Sequence, residues 1–330
     1  MWTKDPLPGA PMPGNGVCVI VITYHPDAAF PTRLRDIACQ VDALVIVDNG
    51  SADAESRMLR EVAADPKVEL TLNLENFGVA KALNLGIRRA AARGYPFALL
   101  LDQDTCVDAD MVHTLLAIHA SLPHSDRLAV IGSHFREMHR PSPDSTDPEP
   151  HGALWDKAES VITSGSLLPL AAHAEIGPFR EEFFIDYVDS EYCLRAAAKG
   201  YWVIKSRKPL MSHPIGALSR HRFLWLNKWT NNHSPDRCYY IARNNTVLLR
   251  EYGKYSRIGW FLKSVNRSFR MCKRVALYEN AKARKIAAVV SGWRDGITGK
   301  LGPRPARRAW TARLFHFGRA RPERRQGESA

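Results

Sequence analysis

The sequence predicts an α/β fold: a mostly parallel sheet flanked by helices, followed by a basic helical C-terminal region. Three observations carry this expectation. Short continuous runs of β-branched and other apolar residues alternate with stretches of helical periodicity. Three of those runs end in polar residues, at the edge where open parallel sheets bind ligands. Beyond residue 235 the alternation gives way to long basic helices.

Residues 17–22 (VCVIVI) are apolar at every position and predict a strand buried on both faces, ending in Thr23-Tyr24. A short helix is expected over 30–40. The run 43–47 (ALVIV) predicts a second strand that enters Asp48-Asn49-Gly50-Ser51. Helix is expected over 58–64 and strand over 68–72. Over 79–93, Val79, Leu83, Ile87 and Ala90 share one helical face opposite Arg88 and Arg89, and Arg93-Gly94 is a natural stop. The run 97–101 (FALLL) predicts a third strand, running into Asp102-Gln103-Asp104, with a helix over 109–120 after it.

Past Ile131 the pattern weakens, and 141–150 (PSPDSTDPEP) reads as a loop. Strand is expected over 161–168, helix over 190–199 closed by Gly200, strand over 201–205, and helices over 236–251, 258–277 and 281–293. There is no internal repeat. The organisation predicted is a flexible N-terminus (1–15), a catalytic domain (16–235), a basic helical region (236–302) and an Arg-rich, disordered tail (303–330).

Composition narrows the function. With 45% hydrophobic and 24% charged residues the chain is neither disordered nor fibrous. No apolar run approaches the ~20 residues of a bilayer span, and no signal peptide is expected at the Pro/Gly-rich start. Residues 1–200 hold 17 Lys and Arg against 28 Asp and Glu, a net of −11; residues 201–330 hold 29 against 6, a net of +23. The six cysteines (18, 39, 106, 193, 238, 272) have neither zinc nor disulfide spacing and are expected to be buried, reduced thiols. Thr23-Tyr24-His25-Pro26 follows the first strand where a dinucleotide dehydrogenase would carry GxGxxG, and Gly299-Lys300-Leu301 is not a P-loop.

Asp102-Gln103-Asp104 is the sharpest feature. Two carboxylates two residues apart at a strand end can divide their work between a ribose or metal contact and a divalent cation bridging a diphosphate. Taken alone, Thr23 or Asp48 reads equally well as a solvated turn or cap.

These segments together resemble the family 2 glycosyltransferases of GT-A fold. The resemblance rests on VIVITYH, VDNGS, ENFGVAKALNLGI, LLDQDT, FFIDYVDSEYCLRAAAKGYWV and His213 in LMSHPIG. Downstream, RCYYIARNNTVLLREYGK and GWRDGITGKLG are similar to a bacterial rhamnosyltransferase branch, and the resemblance covers roughly residues 16–302.

The resemblance implies that Thr23 and Asp48 line the nucleotide base pocket, with Asn76 and Asn84 near the nucleotide. Asn76 reads equally as the N-cap of the following helix. Asp102 would contact ribose or metal. Asp104 would bind the cation, Mg²⁺ or Mn²⁺, and His213, placed after the 201–205 strand, would complete the metal site. Asp189 falls on the catalytic base, with an N-cap role and Asp186 as competing readings. Val188 stands where many members carry a further acid. Glu191, four residues before Arg195, reads as a structural ion pair.

The function implied is a cytoplasmic, inverting, metal-dependent glycosyltransferase that moves L-rhamnose from dTDP-L-rhamnose to a cell-surface polysaccharide or lipid-linked glycan. A galactofuranosyl or other hexosyl transferase is the alternative, and a non-catalytic basic binding protein the rival. The acceptor side would draw on the 133–160 loop, Ser164-Gly165-Ser166 and the C-terminal helices, with Trp155, Trp225 and Trp229 either stacking on sugars or packing in the core. No nucleic-acid partner is expected, because base-stacking aromatics and a docking motif are lacking. Ile258, Phe261, Leu262, Val265 and Phe269, flanked by Trp260, form an apolar stripe; Lys263, Arg267, Arg270, Lys273 and Arg274 lie largely off it. That helix suits an anionic membrane surface on the inner face of the cell membrane, the catalytic domain, or a second copy in a homo-oligomer.

Overall fold

The computed structural model describes residues 14–138, 153–214, 219–223, 226–230, 232–253 and 258–304. The expected loop over 141–150, most of the predicted N-terminal and C-terminal tails, Trp225 and the side chain of Trp229 lie outside the described residues. A nine-stranded mixed sheet is built from β1 (Val17–Thr23), β2 (Ala43–Asp48), β3 (Val68–Leu72), β4 (Phe97–Asp102), β5 (Cys106–Val107), β6 (Leu128–Glu137), β7 (Trp155–Lys157), β8 (Ser166–Pro169) and β9 (Trp202–His213). Their order is β3-β2-β1-β4-β8-β6-β9-β5, with β7 also on β9. The four strands from β3 to β4 are parallel, β8 enters antiparallel, and β6 and β9 run parallel again.

Both faces of the sheet are covered, which is why β1 is apolar from Val17 to Ile22. Cys18, Ile20 and Ile22 meet Leu83, Ile87 and Ala90 of α3 (Val79–Ala92). Val17, Val19 and Val21 join Leu34 and Ile37 of α1 (Phe30–Ala38) and, past α2 (Asp53–Val62), Met111 and Leu115 of α4 (Met111–Ala120). Helix α2 begins five residues before its apolar pattern does, because Asp53 and Glu55 suit a helix N-terminus.

Three sequence expectations are corrected here. β6 continues to Glu137 although its sequence turns polar, since β9 pairs with it past a register shift. The strand expected over 201–205 runs to His213, so His213 ends β9 and does not follow it. Pro209 is tolerated in β9 because it sits where the β6–β9 register is already irregular. Cys39 is exposed at the end of α1, unlike the buried thiols Cys18, Cys193 and Cys238.

After α5 (Leu170–Ile176) and α6 (Val188–Ala198) come a hairpin of β10 (Ser219–Phe223) and β11 (Leu226–Thr230), then α7 (Pro235–Tyr252), α8 (Ile258–Tyr278) and α9 (Lys282–Thr298). Helices α7 and α9 approach closely: a Cβ on Gly292 would stand 2.4 Å from the Tyr239 carbonyl oxygen. Helix α8 turns Ser264, Met271 and Val275 inward. Of its predicted stripe, Leu262 and Phe269 are 59% and 74% exposed, and the side chains of Ile258, Trp260, Phe261 and Lys263 lie outside the described set. Among the described residues no helix is long and apolar enough to cross a membrane.

Helix α7 holds the loop before α6. Arg243, 1% exposed, donates to the carbonyls of Glu182 (2.9 Å), Phe183 (3.1 Å) and Gly302 (2.5 Å). The Asn244 side-chain amide donates to those of Phe183 (3.0 Å), Ile185 (2.9 Å) and Asp186 (2.8 Å). The loop needs the support, because Phe184, Asp186 and Tyr187 are all left-handed, with φ of 64°, 63° and 63°. Each such residue costs about 1 kcal/mol or more. Replacing Asn244 by Ala strands buried carbonyls, and we expect urea denaturation to register a stability loss of about 2–4 kcal/mol.

Candidate active site

The site lies at the carboxyl ends of β1, β2 and β4. Asp48, 1% exposed, accepts from Thr23 Oγ1 (2.8 Å) and Ser51 Oγ (2.5 Å) through Oδ1, and from the Gly50 and Ser51 amides (3.1 and 2.8 Å) through Oδ2. Asp48 thus folds the turn after β2 and orients Thr23, which lines a cavity of about 340 Å³. Gln103, the middle residue of the acidic triplet, clamps Tyr24 by accepting from its amide (2.7 Å) and donating to its carbonyl (3.1 Å). The ends of β1 and β4 are locked together, so Asp102 and Asp104 face one space.

Asp102, Asp104 and His213 each bring a potential ligand atom within 4.8 Å of the others. His213 Nδ1 is 3.0 Å from Thr105 Oγ1, which is 2.6 Å from Ser164 Oγ, and Ser164 Oγ accepts from the Asp102 amide (3.1 Å). This chain fixes the imidazole through Nδ1 and leaves Nε2 available, 3.8 Å from Asp102 Oδ2. Asp104 Oδ1 is buried 3.5 Å from His213 Nδ1 and makes no hydrogen bond among the described residues. Burial, then the charge of Asp102, push the Asp104 carboxyl up to about 6. An orphaned carboxylate oxygen beside a second carboxylate and an oriented imidazole fits a divalent cation of the Mg²⁺ or Mn²⁺ kind.

Across the cavity, α6 opens with Tyr187 as its N-cap in left-handed conformation. Asp189 therefore lies inside the first helical turn, which corrects the N-cap reading. Its Oδ1 accepts from the Ser190 amide (2.6 Å) and hydroxyl (3.3 Å). Burial pushes its pKa up to about 6, with Asp186 adding to the rise. Asp186 is engaged elsewhere: Arg237, in the first turn of α7, donates to both of its oxygens at 3.1–3.2 Å. Asp189 is left on this side of the cavity as a carboxylate without an ion-pair partner among the described residues.

Asn76 lines the cavity and accepts from the Gly78 amide (2.9 Å); Gly78 is the N-cap of α3, so Asn76 sets the turn before the helix and does not cap it. Asn84 sits behind the cavity wall, donating to the Phe179 carbonyl (2.8 Å) and accepting from the Phe179 amide (2.9 Å), which ties α3 to the segment leading into the Asp186 loop. Glu191 pairs with Arg195 (2.9 Å) and also accepts from Tyr252 of α7 (3.0 Å). Trp155 is half-buried and packs in the core beside Trp202.

Sequence reasoning assigned no role to Arg237, Gln103, Thr105 or Tyr187. Arg237 is 51 residues from Asp186, and only the fold pairs them. The pair is partly buried and makes three hydrogen bonds, so a double-mutant cycle with Asp186→Asn and Arg237→Gln should give a coupling of about 1–2 kcal/mol in chemical denaturation.

Residues 18–169 match the glycosyl transferase family 2 model, and the fold is similar to that of GT-A glycosyltransferase structures. It is 29% identical over 253 residues to the dTDP-rhamnosyl transferase RfbF of Shigella flexneri, covering 72% of this chain and 81% of that one. In structure it is similar to S. aureus TarS 1-349 (TM-score 0.54, 16% identity, 85% of this chain and 80% of that chain). It is also similar to the mannosyltransferase PcManGT from Pyrobaculum calidifontis in complex with GDP-Man and Mn²⁺ (TM-score 0.54, 15% identity, 88% and 92%). At these identities the structural likenesses speak for the fold.

Proposed function

We propose that the protein is an inverting, divalent-metal-dependent rhamnosyltransferase that moves L-rhamnose from dTDP-L-rhamnose to a cell-surface polysaccharide or lipid-linked glycan, working in the cytoplasm at the inner face of the cell membrane. The observation that carries the reading is one cavity with Asp102, Asp104 and His213 on one side and Asp189, with no ion-pair partner among the described residues, on the other. The similarity to a dTDP-rhamnosyl transferase supports the choice of donor.

Four carboxylates line this cavity, Asp102, Asp104, Asp186 and Asp189, and its one arginine is already paired with Asp186. A diphosphate would be repelled from such a wall. A divalent cation held by Asp102, Asp104 and His213 would supply the missing positive charge and offset charge on the leaving diphosphate. Thr23 and Asn76 line the nucleotide side. Asp189 takes the proton from an acceptor hydroxyl as its oxygen bonds to the anomeric carbon. The bond from that carbon to the diphosphate breaks in the same displacement, dTDP leaves, and the anomeric configuration inverts. With Asp186 neutralised by Arg237, no second carboxylate is free to form a covalent intermediate.

Thermal denaturation with dTDP, UDP and GDP, each with and without Mn²⁺, tests the donor and the metal together. We expect the largest shift from dTDP with Mn²⁺, worth about 2.7 kcal/mol at a hundred times Kd, and expect Asp104→Asn to remove the Mn²⁺-dependent part. If no nucleotide gives a metal-dependent shift, the reading fails.

Asp189→Asn should lower transfer by about 10²–10⁴-fold while nucleotide binding persists. The base must be ionised, and its pKa is raised to about 6, so activity is lost as pH falls. At saturating metal and donor, the pH profile should drop by about tenfold per unit below that value, and the residual activity of Asp189→Asn should lack this limb.

A further inference from the structure

A second cavity, of about 840 Å³, adjoins the first; Phe135, Ile162, Asp186, Tyr187 and Asp189 line both. Its sheet side includes Ser133, Ser160 and Lys205, and its helical side includes Arg267 and Arg274 of α8. Its lining sets Lys205, Arg267 and Arg274 against Glu159, Asp186, Asp189 and Glu279; Arg237 neutralises Asp186 and Lys285 neutralises Glu279 at 2.7 Å, which leaves three cations beside two acids where the first cavity leaves an excess of acids. Among the described residues, Lys205, Arg267 and Arg274 have no carboxylate partner. The Arg267 guanidinium lies 5.8 Å from the Tyr187 ring centroid, which orients it at the junction of the two cavities. The Tyr187 hydroxyl is buried beside Arg267, and among the described residues no geometrically good hydrogen bond engages it.

We infer that this second cavity is the acceptor subsite and that it takes an acceptor bearing an oxyanion, held by Arg267 and Arg274 and reached by the Tyr187 hydroxyl. The inference rests on the reading of Asp189 as base, because that residue stands on the wall between the cavities. The volume suits one or two sugar units with a charged substituent. Guanidinium groups without counter-charge in a concave site bind phosphate or carboxylate groups more strongly than a neutral glycan. The oxyanion can come from a phosphate linking the glycan to a lipid or from an acidic sugar; both present the same chemistry to the arginines.

The test uses the full chain with Mn²⁺ and saturating dTDP, so that the donor cavity is filled. Octyl phosphate, octyl glucuronide and octyl glucoside are titrated by calorimetry. At least one of the two anionic probes should bind about tenfold or more tightly than the neutral one, and whichever is tighter identifies the source of the oxyanion. Arg267→Gln with Arg274→Gln should abolish that preference and leave octyl glucoside binding unchanged, while Arg267→Lys should keep part of it. Both arginines are exposed, and an unaltered dTDP-induced thermal shift checks that the variants are folded. Equal binding of all three probes, or a preference that survives the double substitution, overturns the inference. Absence of dTDP binding by the unsubstituted protein overturns the catalytic reading instead, and the arginine dependence of probe binding is scored apart from it.

Discussion

The hold of α7 on the loop before α6 is the constraint on which the site depends. Arg243 and Asn244 take up the carbonyl groups of residues 182–186, and Arg237 takes up the carboxylate of Asp186. Three left-handed residues in four positions would not persist without such a scaffold. The strained path lifts the chain over the carboxyl edge of the sheet and delivers Asp189 into the first turn of α6, facing the acids at the end of β4. The helical region that follows the sheet is therefore part of what shapes the cavity. Glu191 extends the connection, since its carboxylate joins Arg195 of α6 to Tyr252 of α7.

The second constraint is electrostatic. Gln103 and the Ser164–Thr105 chain bring Asp102 and Asp104 close together, and among the described residues one buried Asp104 oxygen makes no hydrogen bond. Arg237 cannot relieve the repulsion because Asp186 already holds it. A site built this way is incomplete with protein groups alone, and its donors are oxygen and imidazole nitrogen. The raised carboxyl of Asp104 expresses the same incompleteness. Asp48 makes the contrast. It is the more deeply buried carboxylate, yet three hydrogen bonds from its own turn and one from Thr23 satisfy it, so its work is to shape the edge.

The front of the sheet was legible in the sequence because local pattern and tertiary role coincide there. VCVIVI, ALVIV and FALLL are buried on both faces, and each ends at the ligand edge with its polar residues in place. Legibility failed where pairing, and not composition, makes the element. The second half of β6 and the reach of β9 to His213 depend on each other across an irregular register. Candidate residues divide the same way. Asp102, Asp104 and His213 could be picked out by chemistry and order. Arg237, Thr105 and Tyr187 could not, since each acts through a partner dozens of residues away or through a backbone angle no periodicity encodes. Asn84 carried a motif but serves to fasten α3 to Phe179.

The division of charge along the chain takes on a spatial meaning in this fold. The acidic front half concentrates carboxylates at the cavity beside β1 and β4, where they need a cation. The basic back half does not form one uniform surface. Arg237 and Arg243 turn inward and are consumed by the loop, so they add nothing to an outward field. Arg267 and Arg274 border the second cavity, and Leu262 and Phe269 stand exposed on the same helix. Positive groups that face a cavity and apolar groups that face outward answer different needs: the first select a charged substituent, the second favour an apolar surface. On the proposed reading, this arrangement would keep two charged ligands from exchanging places: a metal-bridged diphosphate would sit beside the acids and a bare oxyanion beside the arginines, with Asp189 between them.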